Sequence, residues 1–284
     1  MKKEFLVFSF FILFSVVSFA GDLKVISYNI RYDNPDDGIN QWKNRANRMG
    51  IVLSRESPDI LGIQEALVNQ VSDLDKMLPG YSHVGVGRDD GKEQGEYSAI
   101  YYKNARLIIL NQGSFWLSPT PDVPGSKGWD AAITRICTWA KFEDIKEART
   151  FFVFNTHFDH QGKQARLESA RLLQQKISAI AGDNPVILTG DLNSEPNEEA
   201  YAVLAQSKSP VLNDSYRPNR RKLEVPDCTF TGFSVKNEFC KRIDYVFSSP
   251  AFSVENYTVI LDSDGSNYNS DHVPVLSLLK WEHQ

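Results

Sequence analysis

Cysteine, positive charge and long apolar runs are all scarce in this chain, and each scarcity excludes a class of function. Three cysteines occur among 284 residues, Cys137, Cys228 and Cys240, and their spacing fits no zinc pattern. In an oxidising compartment Cys228 and Cys240 can pair and leave Cys137 as a buried thiol. Lysine and arginine number 31 against 36 aspartates and glutamates, a net charge of −5. A tight, sequence-independent nucleic-acid binder displaces counterions with a positive field, so this balance speaks against a long polyanion as obligatory partner. A bound divalent cation would reverse the sign locally. Beyond residue 20 no apolar run reaches membrane-spanning length. No repeat, low-complexity tract or linker interrupts the sequence, which predicts one domain over residues 22–282.

The first twenty residues are the exception. "MKKEFLVFSFFILFSVVSFA" places Lys2 and Lys3 before an apolar run from Phe5 to Phe19, with small residues before Gly21. The pattern predicts a signal peptide over residues 1–20, cleaved after Ala20. The alternative reading is an uncleaved N-terminal anchor. No cysteine lies near the cleavage point to carry a lipid. The expectation is an exported protein, periplasmic or extracellular, monomeric, with no stable membrane insertion after cleavage.

Strand-like runs rich in Val, Ile, Phe and Tyr recur along the remainder. They are "LKVISYNI" (23–30), "DILGIQE" (59–65), "YSAIYYK" (97–103), "RLIILNQGSFWLS" (106–118), "TRICTWAKF" (134–142) and "TFFVFNTHF" (150–158). "PVILTGD" (185–191), "RIDYVFSS" (242–249), "YTVILD" (257–262) and "VPVLSLLKW" (273–281) continue the series. Helical periodicity covers residues 41–57, 66–78, 163–181 and 197–206. Many strands with interspersed helices predict sheets covered by helices, in an α/β or α+β arrangement.

The strand ends carry the chemistry. Asn29 ends "VISYN", Glu65 ends "ILGIQE", and "FNTHFDH" offers His157, Asp159 and His160. "VILTGDLN" ends in Asp191 and Asn193, "RIDYVF" begins with Asp244, and "NSDHVPV" presents Asp271 and His272 just before a strand. Any one polar strand end is ordinarily a cap or turn. Repeated at strand after strand, without a serine or cysteine nucleophile, they predict a shared cleft along one rim of a sheet. Carboxylates without thiolates favour hard cations, Mg²⁺ or Mn²⁺. Such a cation beside Asn and His suits attack of water on a phosphorus ester. Zinc hydrolysis is the other option, but the histidines lack the His-x₃-His spacing of a zincin.

"SYNIR", "DILGIQE", "NTHFDH", "GDLNSEP", "RIDYVF" and "SDHVPV" occur in the order seen in the endonuclease/exonuclease/phosphatase superfamily, which the chain resembles over roughly residues 24–277. The resemblance implies a four-layer α/β sandwich, two packed mixed or mostly antiparallel sheets with helices outside, and metal-dependent hydrolysis of phosphate esters. It implies Glu65 as principal metal ligand, with Asn29 and Asp271 helping to hold metal or phosphate. Asp191 matches the group that orients and deprotonates water, and Asn193 its partner near the phosphate. His272 matches the histidine touching the scissile phosphate, with Asp244 fixing its tautomer. His157 matches a residue that helps protonate the leaving group, with Glu96 as its carboxylate partner.

Other residues are weighed beside this set. Asp159 and His160 offer either an extra phosphate or metal contact or a hydrogen-bonded loop. Arg31, Arg45 and Arg166 can bind a second acidic group or serve as surface ion pairs. Trp116 and Trp129 can stack on a base or sugar ring, and for Trp116 core packing competes. Substrates compatible with the sequence are nucleic acid, a nucleotide, a sugar phosphate or a lipid headgroup. The alternative function is a catalytically silent binding module on the same fold.

Overall fold

The computed structural model describes residues 21–216, 228–236, 239–261 and 263–282, so the expected signal peptide lies outside the described residues. Its elements are β1 (Leu23–Asn29), α1 (Trp42–Glu56), β2 (Ile60–Gln64), α2 (Val68–Met77), β3 (Tyr81–Val84) and β4 (Ile100–Lys103). They continue with β5 (Leu107–Trp116), β6 (Ile136–Asp144), β7 (Arg149–His157), α3 (Lys163–Ala181), β8 (Val186–Asp191) and α4 (Glu199–Ala205). The last are β9 (Asn213–Asp214), β10 (Asp244–Ser248), β11 (Phe252–Val259) and β12 (Val275–Trp281).

Two six-stranded sheets result, ordered β11-β12-β1-β2-β4-β3 and β5-β6-β7-β8-β10-β9. In each, one central pair is parallel (β1 with β2, β7 with β8) and the remaining pairs are antiparallel. The parallel strands are buried on both faces, which is why "VISYN" and "VILTG" read as nearly continuous runs instead of alternating. One core lies between the sheets and includes Val25, Ile60, Phe142, Phe151, Val153, Ile187, Val246 and Trp281. A second packs α1 and α2 on the first sheet through Met49, Leu53, Leu74 and Ile63. A third packs α3 and α4 on the other through Leu173, Ile177, Leu204 and Phe154. The architecture is therefore the expected four-layer sandwich of helix, sheet, sheet and helix.

Local differences from the sequence expectation have simple causes. β11 begins at Phe252, five residues before the predicted "YTVILD", because it pairs with β12 from Phe252 opposite Trp281 onward. Its polar stretch Glu255–Asn256 is accommodated by a bulge, so periodicity misses it. β3 was not predicted, since its residues are only partly buried and its pairing with β4 is long-range information.

Beneath the rim, the sheets touch through a polar layer. Asn155 Nδ2 donates to the carbonyls of Ile63 (2.7 Å) and Ala99 (2.9 Å). Its Oδ1 accepts from Gln64 Nε2 (2.7 Å) and Thr189 Oγ1 (3.0 Å). Gly62 makes room for this layer: a Cβ there would fall on Thr189 Oγ1 and lie 2.8 Å from Asn155 Oδ1. Gly62→Ala is expected to cost about 1–3 kcal/mol of stability, by overpacking. Denaturant unfolding would show a lower midpoint at unchanged slope; a wild-type midpoint would mean that the layer relaxes freely.

Candidate active site

Strand register brings the predicted residues to one rim. β1 and β2 run parallel, so Asn29 lies opposite Gln64 and Glu65 follows immediately. In the other sheet His157 ends β7 opposite Asp191 on β8, and Asp244 opens β10 on Asp191's other side. Face-to-face packing of the sheets then closes the set. Asn29 Nδ2 donates to Glu65 Oε1 and to Asp191 Oδ2, both at 2.9 Å, so one amide ties the carboxylates of the two sheets together.

The backbone turns sharply as it leaves these strands. Arg31, Glu65 and Asn193 have φ of 56°, 65° and 45°, the left-handed region that non-glycine residues seldom occupy. Such conformations cost about 1–3 kcal/mol each. Here they aim side chains into the cleft. Arg45, weighed as a substrate ligand, is instead fully buried and donates to the carbonyls of Ile30, Arg31 and Asn269. It clamps the turn after β1 to the segment that precedes Asp271.

A second clamp was not foreseen. Thr229 Oγ1 accepts from the amides of Ile243 (2.9 Å) and Asp244 (3.0 Å), while its carbonyl accepts from Val273 N (2.7 Å). Thr231 N donates to the carbonyl of Asp271 at 2.7 Å. Residues 229–231 thus hold the start of β10 against the Asp271–His272 segment. Cys228, which precedes Thr229, is disulfide-bonded to Cys240, and Cys137 is a buried free thiol, the pairing that the sequence left open.

His272 Nδ1 lies 2.8 Å from Asp244 Oδ2, and its Nε2 lies 3.6 Å from Asp191 Oδ2. Burial works to lower the imidazole's pKa, but the charges of Asp244 and Asp191 outweigh it and push it up to about 10. His272 is therefore a cation at neutral pH. Asp191 is pushed up to about 7, by burial and then by the Asp244 charge, against the opposing pull of His272, Asn29 and the Asn193 amide. Burial likewise raises Asp271. For Glu65, burial would raise the carboxyl, but the Asn29 hydrogen bond and the charges of His272 and Arg31 prevail and lower it.

Arg31, Glu65, Glu96, His157, His160, Asp191, Asn193, Asp271 and His272 line one cavity of about 520 Å³, and Asn29 and Asp244 support it from below. The ligand atoms of Asp191, Asp244 and His272 fall within 4.8 Å of one another and could hold a metal ion.

Residues 26–272 match the Endonuclease/Exonuclease/phosphatase family. The chain belongs to this family. A Bacteroides thetaiotaomicron structure of an endonuclease/exonuclease/phosphatase family protein is 40% identical, with a TM-score of 0.86 over 93% of this chain and 99% of that one. The mannosyl-6-phosphatase of the same organism is 39% identical, with a TM-score of 0.81 over 91% and 100%. Uncharacterized protein L388 of Acanthamoeba polyphaga mimivirus is 26% identical across 91% of this chain and all of its own length. Members of the endonuclease/exonuclease/phosphatase family are hydrolases acting on phosphate esters.

Several of the residues singled out in the sequence either stand differently here or take the structural one of the two roles weighed for them. Glu96 does not pair with His157; it grips Arg88 through both carboxylate oxygens, at 2.5 and 2.9 Å. His157 Nε2 instead meets Asn193 Nδ2 at 3.0 Å. Asp159 is the hydrogen-bonded loop residue, since its carboxylate accepts from the amides of Ala132, Ile133, Gln161 and Gly162. Arg166 stands outside the cleft, against Glu198 and the Asp159 carbonyl. Trp116 is core, its indole N–H donating to the Arg88 carbonyl, and Trp129 does not line the cavity. Arg135, Phe230 and Lys241 line it and were not anticipated. Arg135 opens the "RICTWAKF" run just as Asp244 opens "DYVF", so a basic strand end carried the same signal as the acidic ones.

Proposed function

We propose that this chain hydrolyses phosphate esters by metal-assisted attack of water, with Asp191 accepting the water's proton. The observation that carries the reading is the placement of Asp191. Its carboxylate is fixed by Asn29 Nδ2 at 2.9 Å and the Asn193 amide at 2.8 Å, faces the His272 cation, and is tuned to about 7, where a base works best near neutral pH. His272, held by Asp244, donates to the phosphoryl oxygens as negative charge builds on them. Asn193 keeps its side chain at the same edge of the cavity.

The donor set fits a hard cation. Glu65 and Asp271 offer carboxylate oxygens to the cavity, and Asn29 joins Glu65 to Asp191. Glu65, Asp271 and Asn29 are the residues assigned to hold Mg²⁺ or Mn²⁺. The Asp191, Asp244 and His272 group is the poorer cage, because a protonated imidazole already bonded to Asp244 cannot ligate. Bound at Glu65, the cation would polarise the phosphoryl oxygen.

The test is a panel of p-nitrophenyl phosphate, bis-p-nitrophenyl phosphate, mannose 6-phosphate, DNA, RNA and phospholipid with Mg²⁺ or Mn²⁺. Mannose 6-phosphate is included because a 39%-identical relative is a mannosyl-6-phosphatase. Cleavage of at least one member supports the reading, and silence across the whole panel contradicts it. Export is part of the same proposal, supported by the pattern of residues 1–20 and by the Cys228–Cys240 disulfide. Mass spectrometry of protein from the secreted or periplasmic fraction should find a chain beginning at Gly21; an intact Met1 in the cytoplasm would rule this out.

A further inference from the structure

One wall of the cavity holds more hydrogen-bond donors than the hydrolytic machinery uses. Arg135 is 3% exposed, and neither its Nε nor its Nη1 has a hydrogen-bond partner within the protein. Its Nη2 reaches His160 Nδ1 at 3.0 Å, and its Nε lies 3.6 Å from Asp159, too long for a hydrogen bond. His157, which lines the same cavity, has its Nδ1 buried without a partner, and so has the Nε of Arg88, which holds the lining residue Glu96 but does not itself line the cavity. His157 has its other nitrogen engaged with Asn193, so Nδ1 is the free position on that ring. Buried donors of this kind are costly to leave unmatched, by about 1–3 kcal/mol each. Arg135 and His157 both line the cavity, and unmatched donors on two of its lining side chains call for an oxygen-rich ligand.

The charge balance narrows the class. Arg88 is matched by Glu96 in a two-oxygen pair, and Arg135 faces Asp159. Each guanidinium has its carboxylate, so the wall is rich in donors without an excess of positive charge. A second phosphate would need uncompensated charge. Sugar hydroxyls would not, because a hydroxyl accepts from a guanidinium and donates to a carboxylate in the same contact. Ile133 and Ile243 supply apolar surface in the same cavity for the C–H face of a ring.

We propose that Arg135, with Glu96, which Arg88 holds in place, and His157, forms a hydroxyl-reading subsite for the sugar part of a phosphorylated sugar, and that Arg135 sets the preference for such substrates. This rests on the phosphoesterase reading above. The leaving group is the sugar oxygen: water adds to phosphorus, the P–O bond to the sugar breaks, and inorganic phosphate and the free sugar alcohol result.

The experiment compares kcat/KM on mannose 6-phosphate, n-hexyl phosphate, fructose 1,6-bisphosphate and p-nitrophenyl phosphate. Wild type should prefer mannose 6-phosphate to n-hexyl phosphate by about tenfold or more, the effect of one satisfied charged hydrogen bond. Arg135→Met should lower the ratio of mannose 6-phosphate to p-nitrophenyl phosphate by a similar factor, chiefly through KM. Equal rates on mannose 6-phosphate and n-hexyl phosphate by wild type overturn the subsite, whatever the variant does. So does a tenfold preference for the bisphosphate, which would make the wall an anion site. In both cases turnover of p-nitrophenyl phosphate leaves the phosphoesterase reading standing; absence of all turnover ends both.

Discussion

Asp191→Asn is expected to lower kcat by about 10²–10⁴-fold, the usual contribution of a positioned general base, with little change in KM. The amide keeps the shape of the carboxylate, but it has one acceptor oxygen where Asp191 uses two, so it keeps either the Asn29 or the Asn193 hydrogen bond, and it cannot take a proton. The same substitution should stabilise the fold above neutral pH. Asp191's pKa is raised to about 7 by burial and by Asp244, so its ionisation is opposed by folding. The unfolded chain releases this proton near the ordinary carboxylate value, and stability therefore falls as pH rises from there through about 7. An asparagine escapes that loss. Steady-state kinetics beside thermal unfolding at pH 5 and pH 8 would read both effects. A variant with unchanged kcat removes Asp191 from the mechanism.

His272→Gln should lose activity on a comparable scale, about 10²–10³-fold, as one donor to the developing phosphoryl charge disappears. Its effect on stability has the opposite sign. His272's pKa is raised to about 10 because Asp244 and Asp191 outweigh burial, so its protonation favours the folded state. That contribution is fully present below the ordinary histidine value and is lost as pH rises through about 10. At pH 7 the glutamine variant should therefore melt lower than wild type, with Asp191 and Asp244 left facing each other on neighbouring strands. Loss of activity in both variants with opposite shifts in melting is a signature that general damage to the rim would not give.

Much of this rim is legible in the sequence because strand ends are local. "YNI", "IQE", "NTH", "GDLN" and "IDY" each announce a polar residue at the edge of an apolar run, and parallel pairing of β1 with β2 and β7 with β8 aligns them. What stays hidden depends on long-range contact. Nothing near Glu96 in the chain says that Arg88 will hold both its oxygens, or that Asp159 will be consumed by four amides. Thr229 looks like any β-forming residue until the fold sets it beside Asp244 and Val273. Arg135 sat in plain view at a strand end, yet a basic residue there reads as a surface ion pair until its burial is known.

The most direct test is phosphate release by wild-type protein after chelation and dialysis, followed by stepwise return of Mg²⁺ or Mn²⁺. The cluster of Glu65, Asp271 and Asn29 predicts that turnover falls at least about 10²-fold without metal and recovers in a saturable, single-step titration. It also predicts that Glu65→Gln shifts that titration to higher metal concentration. Full activity in the metal-free protein would contradict the account.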